Sequence, residues 1–600
     1  MNSRIECRNG YPRLLIDDTI VPAMAYTTYF EEHSCHEDFI RAGYRIFFVN
    51  VYFTMSPINS RGTGFTPASA GVFEDPAHED YSVFEDTIRD ILRLCPDAFI
   101  FPRIYISMPP WWVEEHMDEC ILTNKGGWRE NLFSESFRRD ACLLLTRLVR
   151  HIQASDYAGN VAGWQLCAGN TQEWFHPDLF GSLSPTAAEP YRKWAEETYG
   201  IKDAVLPAAS EYQNNGTSLC ESENARRYAE FANVSVAETL EIFAKKMKEL
   251  TGYRQVVGAF YGYSFEFCPQ LWGTHAMRIV VNSPALDFLS SPNSYHQNRP
   301  FGIDWSDMLP VDTIRHHGKL AFIECDIRTC RTRNLAEARP DRYPADMYPS
   351  GAGSVWAGPP TPELSREALR KCFAHQLTHG NAIWWFDMWG GWYHDPIMME
   401  ALADMKRIYA DAAEIPSDFP ASEVVLFADE RAAANLRIYA PLSSAVVQTR
   451  VAMGNTGVPY DSCLVEDAPA LLEHYRAAVF TAPVPSEAGL AAMAHCRELG
   501  IPFLTASEEH PAFTPEELRT FFGSAGVHIW SDGGDVVYAG SGYAALHTAA
   551  GGEKCLRLPT VCRVVPIFGT DIAPQTTNCI RFRLEDNTTA LFSVHCSGAK

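Results

Sequence analysis

Two glutamates stand at places where a chain could do proton and bond chemistry. The first lies in Gly163-Trp-Gln-Leu-Cys-Ala-Gly-Asn-Thr-Gln-Glu-Trp-Phe175. Val161, Ala162, Trp164, Leu166 and Cys167 make an apolar run that reads as a buried strand, and the breaker pair Gly169-Asn170 ends it. Glu173 follows in the loop, beside Trp174 and Phe175. A carboxyl group that must hold a proton near neutrality has to be partly withdrawn from water. Aromatic faces stack on the apolar side of a sugar ring. The plainer reading of Glu173 is a solvated loop charge or a helix N-terminal charge. The second glutamate lies in Lys319-Leu-Ala-Phe-Ile-Glu324-Cys-Asp326-Ile-Arg328-Thr329. Strand period places Glu324, Asp326 and Arg328 on one side. A carboxylate at a strand end with an arginine nearby stays ionised, which suits a nucleophile. The plainer reading is a structural Glu–Arg pair at the rim.

The elements that must position these residues follow a repeating order. Residues 1–415 alternate short apolar strands with amphipathic helices. Candidate strands are 21–27, 44–53, 98–106, 161–167, 256–263, 286–290, 320–325 and 382–387. Helical patterns fall between them at Val83–Leu94, Ser136–Ala154, Ala225–Leu250 and Ser365–His379. Eight such units predict an α/β chain built on a (β/α)8 TIM barrel, whose catalytic end carries the loops after the strands. The helix Pro396–Ala413 closes it, and Ile415–Pro420 reads as a linker. Residues 421–530 read as a small doubly wound α/β domain with strands Val424–Phe427, Ala477–Phe480 and Phe503–Thr505. They hold no G-x-G-x-x-G, so a structural role is expected. Residues 531–600 show short alternating strands and read as a small β-sandwich-like domain.

In a barrel, the ends of the fourth and seventh strands face each other across the mouth. Glu173 and Glu324 then form the two-carboxylate constellation of glycoside hydrolysis, in which one group protonates the leaving oxygen and the other attacks carbon or activates water. Here the sequence resembles the clan-A glycoside hydrolases, and in particular the family 42 β-galactosidases and the related family 164 β-mannosidases. The resemblance rests on Gly163-Trp164-Gln165, Gly169-Asn170-Thr171-Gln172-Glu173-Trp174-Phe175 and Glu324-Cys-Asp326-Ile-Arg328-Thr329. It implies that Glu173 is the acid/base, that Glu324 is the nucleophile, and that the α/β domain builds a trimer. The chain departs from the family's pattern, which has two residues and then Asn-Glu after Trp-Gln. Ala168 and Gly169 stand where that Asn-Glu would, and Asn170 is the candidate for the sugar's 2-hydroxyl.

Further substrate-binding candidates follow from position. Arg103 ends the third strand and either orients the nucleophile or bridges strands. Tyr295, after the sixth strand, is expected by resemblance to bond the nucleophile, and His296 adjoins it. Glu266, after the fifth strand, is a sugar ligand or a competitor for the acid role. Trp111, Trp112, Trp384, Trp385, Trp389 and Trp392 cluster after strands three and eight; most tryptophans in a barrel are core, and Trp112 and Trp385 are taken as the pocket pair. Asp387 binds a hydroxyl or caps a turn.

The net charge of −24 argues against nucleic acid or an anionic membrane as partner. No apolar run is long enough to span a membrane, and the N-terminus lacks a signal-like segment, so a cytoplasmic location is expected. The seventeen cysteines contain no C-x-x-C pair, and they are expected to be mostly reduced, with no metal cluster and no cofactor. The expected partner is a small carbohydrate, and the expected activity is that of an exo-acting retaining β-glycosidase on a terminal galactoside. The alternatives are a mannose-, glucose- or fucose-directed enzyme of the same clan, or a barrel that binds sugar without cleaving it.

Overall fold

The computed structural model describes the chain apart from residues 56–69, 124–126, 170, 177–184, 209–210, 212–221, 267–271, 296–298, 342–355, 413–421, 436–443 and 597–600. Asn170, His296 and the expected linker at 415–420 lie outside the described residues.

Eight parallel strands close a barrel in chain order: β1 Met24–Thr27, β2 Ile46–Tyr52, β3 Phe99–Ile106, β4 Gly163–Ala168, β5 Val256–Ala259, β6 Phe288–Leu289, β7 Leu320–Cys325 and β8 Ala382–Phe386. β5 and β6 are shorter than expected. Beyond Ala259 the chain leaves the sheet and turns at Gly262, whose φ of +139° suits glycine. Period two sends alternate side chains inward. Phe48, Phe101, Phe288, Phe322 and Trp384 fill the interior as one buried cluster. The helices between strands start where the sequence supplies caps: Ser134 accepts from Phe137, Ser222 from Ala225 and Thr361 from Leu364.

Residues 3–20, for which no strand was expected, form a three-stranded antiparallel sheet of Ser3–Arg8, Tyr11–Ile16 and Thr19–Ile20. It packs Leu14 and Ile16 into the interior cluster. Ser3 ties it to the barrel: its hydroxyl donates to the Ala162 carbonyl and accepts from the Val256 N–H at 2.9 Å.

A second parallel sheet has the order Asp461–Leu464, Val424–Ala428, Ala477–Phe480, Phe503–Thr505. The strand Asp461–Leu464 was not expected from its sequence. It is an edge strand, and two of its N–H groups are taken by side chains of the helix Val311–His316 that precedes β7. Ser462 donates to Asp312 at 2.7 Å and Leu464 to Thr313 at 2.8 Å. The C-terminal strands Val536–Gly540, Tyr543–Thr548, Gly552–Phe568, Gln575–Leu584 and Thr588–His595 form one antiparallel sheet among the described residues, where a sandwich-like pair was expected. Its long strand is bulged between Arg557 and Cys562, so the sheet curls over its own core, including Leu556, Ile580, Phe582 and Phe592. A disulfide joins Cys562 to Cys596, and among the described residues thirteen other cysteines are free.

Ser3→Ala removes both hydrogen bonds of the Ser3 hydroxyl and leaves the buried Val256 N–H unpaired. The expected loss is about 1–3 kcal/mol of unfolding free energy in chemical denaturation; a variant as stable as wild type would show that this tie contributes nothing.

Candidate active site

The barrel's register decides which side chains meet at the mouth. Glu324 pairs with Trp384 across β7 and β8, so the two share the inner face; Cys325 pairs with Trp385 on the outer face. Glu324 is 1% exposed at the end of β7. Its Oε2 has no hydrogen-bond partner among the described residues. Arg103 on β3 also points inward. Its Nη1 donates to Asn50 at 3.3 Å, and its guanidinium lies 4.9 Å from the Trp384 ring centre and 5.4 Å from that of Tyr29. Nε and Nη2 of Arg103 are buried without a partner among the described residues. Burial works against the charge of Arg103, but the fields of Tyr29, Cys167 and Glu324 outweigh it and keep the group protonated. Buried polar atoms are rarely left unpaired except where function uses them.

Glu173 reaches the same space from a tightly wound loop. Thr171, Gln172 and Trp174 all adopt left-handed backbone, at φ 54°, 71° and 58°. Such residues cost roughly 1–3 kcal/mol each and persist only where the surroundings fix them. Here the fixing is visible. The Trp174 N–H donates to Ala168 O at 2.7 Å, its indole to Leu166 O at 3.1 Å, Gln172 to the Tyr52 hydroxyl at 3.1 Å, and the Tyr105 hydroxyl to Gly169 O at 2.9 Å. The carboxylate of Glu173 accepts from the Thr171 hydroxyl and, at 2.7 Å, from the Tyr263 hydroxyl. Burial pushes its carboxyl up to about 7, against the lowering effect of those hydroxyls and of Arg103. Glu324, expected to stay ionised beside an arginine, is instead also raised, first by burial and then by the charges of Asp326 and Glu173, with Arg103 and Arg328 opposing. The charge of Glu173 therefore acts on Glu324, and that of Asp326 on both.

Asp326 behaves differently. It is fully buried, with Arg299 at 2.6 Å and Arg328 in contact. Burial raises its pKa, but the two arginines outweigh it, so it titrates below the usual carboxylate range. The Tyr295 hydroxyl donates to Asp326 at 2.5 Å, where a bond to Glu324 was expected. Arg328 in turn lies 5.1–5.3 Å from the ring centres of Trp356, Tyr295 and Trp392. Phe175, Tyr263 and Met308 form a buried apolar cluster with Trp272 and Tyr295 packed on it. Trp389 packs on Tyr29 at 5.9 Å between ring centres.

Four expected site residues are corrected. Trp112 is buried on the helix Pro110–Glu115, stacked on His116 and bonded to Asp140 at 2.9 Å. Trp385 faces outward and donates to the Tyr44 hydroxyl at 2.9 Å, because strand parity gives the inner position to Trp384. Asp387 lies on that same outer face and caps a turn, accepting from Gly391 and Trp392 N–H at 2.9 and 2.8 Å. Glu266 spends its oxygens on the Ser294 hydroxyl, the Tyr295 N–H and Arg450. Sequence reasoning missed Tyr29, Tyr52, Tyr263 and Arg299. Tyr263 stands three residues before Glu266, but no local pattern distinguishes the tyrosine from the glutamate. Arg299 sits in an irregular loop that gave no signal.

Gly169 opens the Glu173 loop at φ +71°, and a Cβ there would sit 2.4 Å from the Phe175 carbonyl oxygen. Gly169→Ala is expected to cost roughly 1–3 kcal/mol in thermal or chemical unfolding. Gly159→Ala, where a Cβ meets nothing within 4 Å, is the control expected to change little. Equal behaviour of the two would show that the loop is not wound as described.

The sequence matches no protein-family model, and no curated protein matches it. Solved structures do. A β-galactosidase from Bacillus circulans sp. alkalophilus aligns with a TM-score of 0.63 at 12% identity, covering 96% of this chain and 99% of that one. The catalytic mutant of Gan42B, a GH42 β-galactosidase from G. stearothermophilus, aligns with a TM-score of 0.63 at 10% identity, over 96% and 98%. An α-L-fucosidase isoenzyme 2 from Paenibacillus thiaminolyticus aligns with a TM-score of 0.54 at 9% identity, over 96% and 100%. Over nearly its whole length the chain therefore shares the fold of these β-galactosidases, a TIM barrel with further sheets after it.

Proposed function

We propose that the protein is an exo-acting retaining β-glycosidase, specifically a β-galactosidase, working through Glu173 and Glu324. In the first step a Glu324 oxygen attacks the anomeric carbon, the bond from that carbon to the aglycone oxygen breaks, and Glu173 gives its proton to the leaving oxygen. In the second step Glu173 takes a proton from water, the water oxygen attacks the same carbon, and the glycosyl ester on Glu324 breaks. The observation that supports this reading most is the pairing of a carboxyl that titrates at about 7 with a second, buried carboxyl that senses its charge. For Glu324 to attack it must be ionised while Glu173 holds its proton, and Arg103 and Arg328 are the charges that oppose protonation of Glu324. The aromatic rings of Phe175, Tyr263 and Trp389 supply faces on which a sugar can stack.

The choice of galactose follows the resemblance to β-galactosidases. The fucosidase with the same fold makes L-fucose a second sugar to test. The departure at Ala168 and Gly169 favours a third reading, a barrel that binds sugar without cleaving it. A trimer belongs to the same proposal by resemblance, and sedimentation of the purified chain tests it.

Nitrophenyl α- and β-glycosides of the common sugars, offered to wild type and Glu324→Ala, separate these readings. Release from the β-galactoside that the mutant loses supports the proposal. Release from another sugar alone moves the specificity, and binding without turnover supports the third reading.

A second measurement tests the coupling. Glu173→Gln is expected to slow hydrolysis of substrates with poor leaving groups by about 10²–10⁴. On an activated aryl glycoside, which needs no acid, its rate profile should reveal the nucleophile alone. The charge of Glu173 helps raise Glu324. Removing that charge should therefore move the acid limb to lower pH. An unmoved limb would mean that the two carboxyls do not interact.

A further inference from the structure

At the rim of the mouth the fold brings together three metal-binding side chains that lie far apart in the sequence. Cys35 and Asp38 belong to the segment after β1, where Cys35 precedes the short helix His36–Arg41. His394 lies in the loop after β8. One donor atom from each residue lies within 4.8 Å of the other two. We infer that Cys35, Asp38 and His394 form a zinc-binding site that clasps the first and eighth loops of the barrel.

The chemistry of the donors selects the metal. A thiolate, an imidazole and a carboxylate together suit zinc, whereas magnesium and calcium take oxygen ligands. Tetrahedral zinc with bonds of about 2.0–2.3 Å separates its ligand atoms by about 3.3–3.8 Å. The observed spacing needs only small side-chain rotations to close on an ion. Asp38 and His394 now share a hydrogen bond of 2.6 Å between Oδ2 and Nδ1, so both donors already face one point.

An ion pair alone would account for Asp38 and His394. The Cys35 thiol, which hydrogen-bonds the Asp387 carboxylate, lies within reach of both as a third donor. Cys35 is also held in place, since its N–H donates to the Tyr26 hydroxyl at 2.6 Å and that hydroxyl donates to Asp387 at 3.0 Å. A bound metal holds a coordinating thiol deprotonated.

The fourth position has somewhere to open. Cys35 and His394 both line a cavity of about 560 Å³ that also borders His33, Arg333 and Trp389. Water would complete the tetrahedron there. The clasp would close the seam between β1 and β8 on the outside, next to the loop that carries Trp389 against Tyr29. The site uses neither glutamate and does not depend on the glycosidase reading.

The test is metal content. Purified full-length protein is stripped with a chelator, incubated with zinc chloride, desalted and assayed by elemental analysis. Wild type is expected to keep about one zinc per chain, as for a three-ligand site with water. Cys35→Ser and His394→Ala are each expected to bind at least about tenfold more weakly, given the loss of one of three ligands. The His394 side chain is 76% exposed, so its variant tests the site without threatening the fold. Cobalt in place of zinc should give a thiolate-to-metal charge-transfer band that Cys35→Ser lacks. Zinc retained by both variants would place the ion elsewhere and overturn the inference, as would wild type that binds none from an excess.

Discussion

Taking a carboxylate out of water costs several kcal/mol unless cations and hydrogen bonds replace the solvent. The mouth of this barrel buries two carboxylates on one strand end, Glu324 and Asp326, with Glu173 close enough to act on both. The cations are not shared evenly. Asp326 receives Arg299, Arg328 and the Tyr295 hydroxyl, and it stays ionised. Glu324 receives the longer-range field of Arg103 and no hydrogen bond to Oε2 among the described residues. One strand end thus carries an acid paired with two arginines beside one with no ion pair among the described residues, and the charge of Glu173 acts on the latter. Environments that push neighbouring carboxyls apart are how acid and base roles are assigned in active sites.

The smaller sheets hold the loops that make this possible. Arg450, from the α/β sheet's side, donates to the Phe265 carbonyl at 2.6 Å and pairs with Glu266, which in turn accepts from the Tyr295 N–H. The loop that aims Tyr295 at Asp326 is therefore anchored from outside the barrel. The C-terminal sheet contributes through Tyr538, which donates to Asp304 at 2.8 Å, while Tyr460 reaches the other oxygen of Asp304 at 3.1 Å. Both bonds brace the segment after β6. Glu266 is thus indirect: it fixes the backbone of the residue that binds Asp326.

Much of the barrel was legible because a buried parallel strand is a short apolar run bounded by breakers. β7 was expected at 320–325 and is found at Leu320–Cys325, which is why Glu324 could be placed at a strand end. What failed was parity. Ala382–Phe386 is apolar on both faces, so its composition does not say whether Trp384 or Trp385 looks inward. That follows only from pairing with Glu324, a tertiary fact. The edge strand Asp461–Leu464 hid for another reason, since its polar start is matched to side chains of a barrel helix. Tyr263 and Arg299 act from loops, where no period exists to read. The meeting of Cys35 and Asp38 with His394 closes the barrel's first-to-last seam, so nothing local announces it.

The Glu173 loop shows how a displaced carboxylate can be brought back toward a strand end. A carboxylate moved along the chain would ordinarily project further from the strand end. Here left-handed residues at 171, 172 and 174 wind the chain back, so that Gly169 and Phe175 pair as neighbours in a bridge. The extra residues are used up in the turn, and Trp174 is driven down onto Leu166 as an anchor. Backbone strain of this kind is kept only where the surroundings over-determine it. Four hydrogen bonds and the Gly169 approach do so here. A loop that needed only to be a solvated connection would have no reason to hold that strain, and a glutamate within it would have no reason to meet Tyr263.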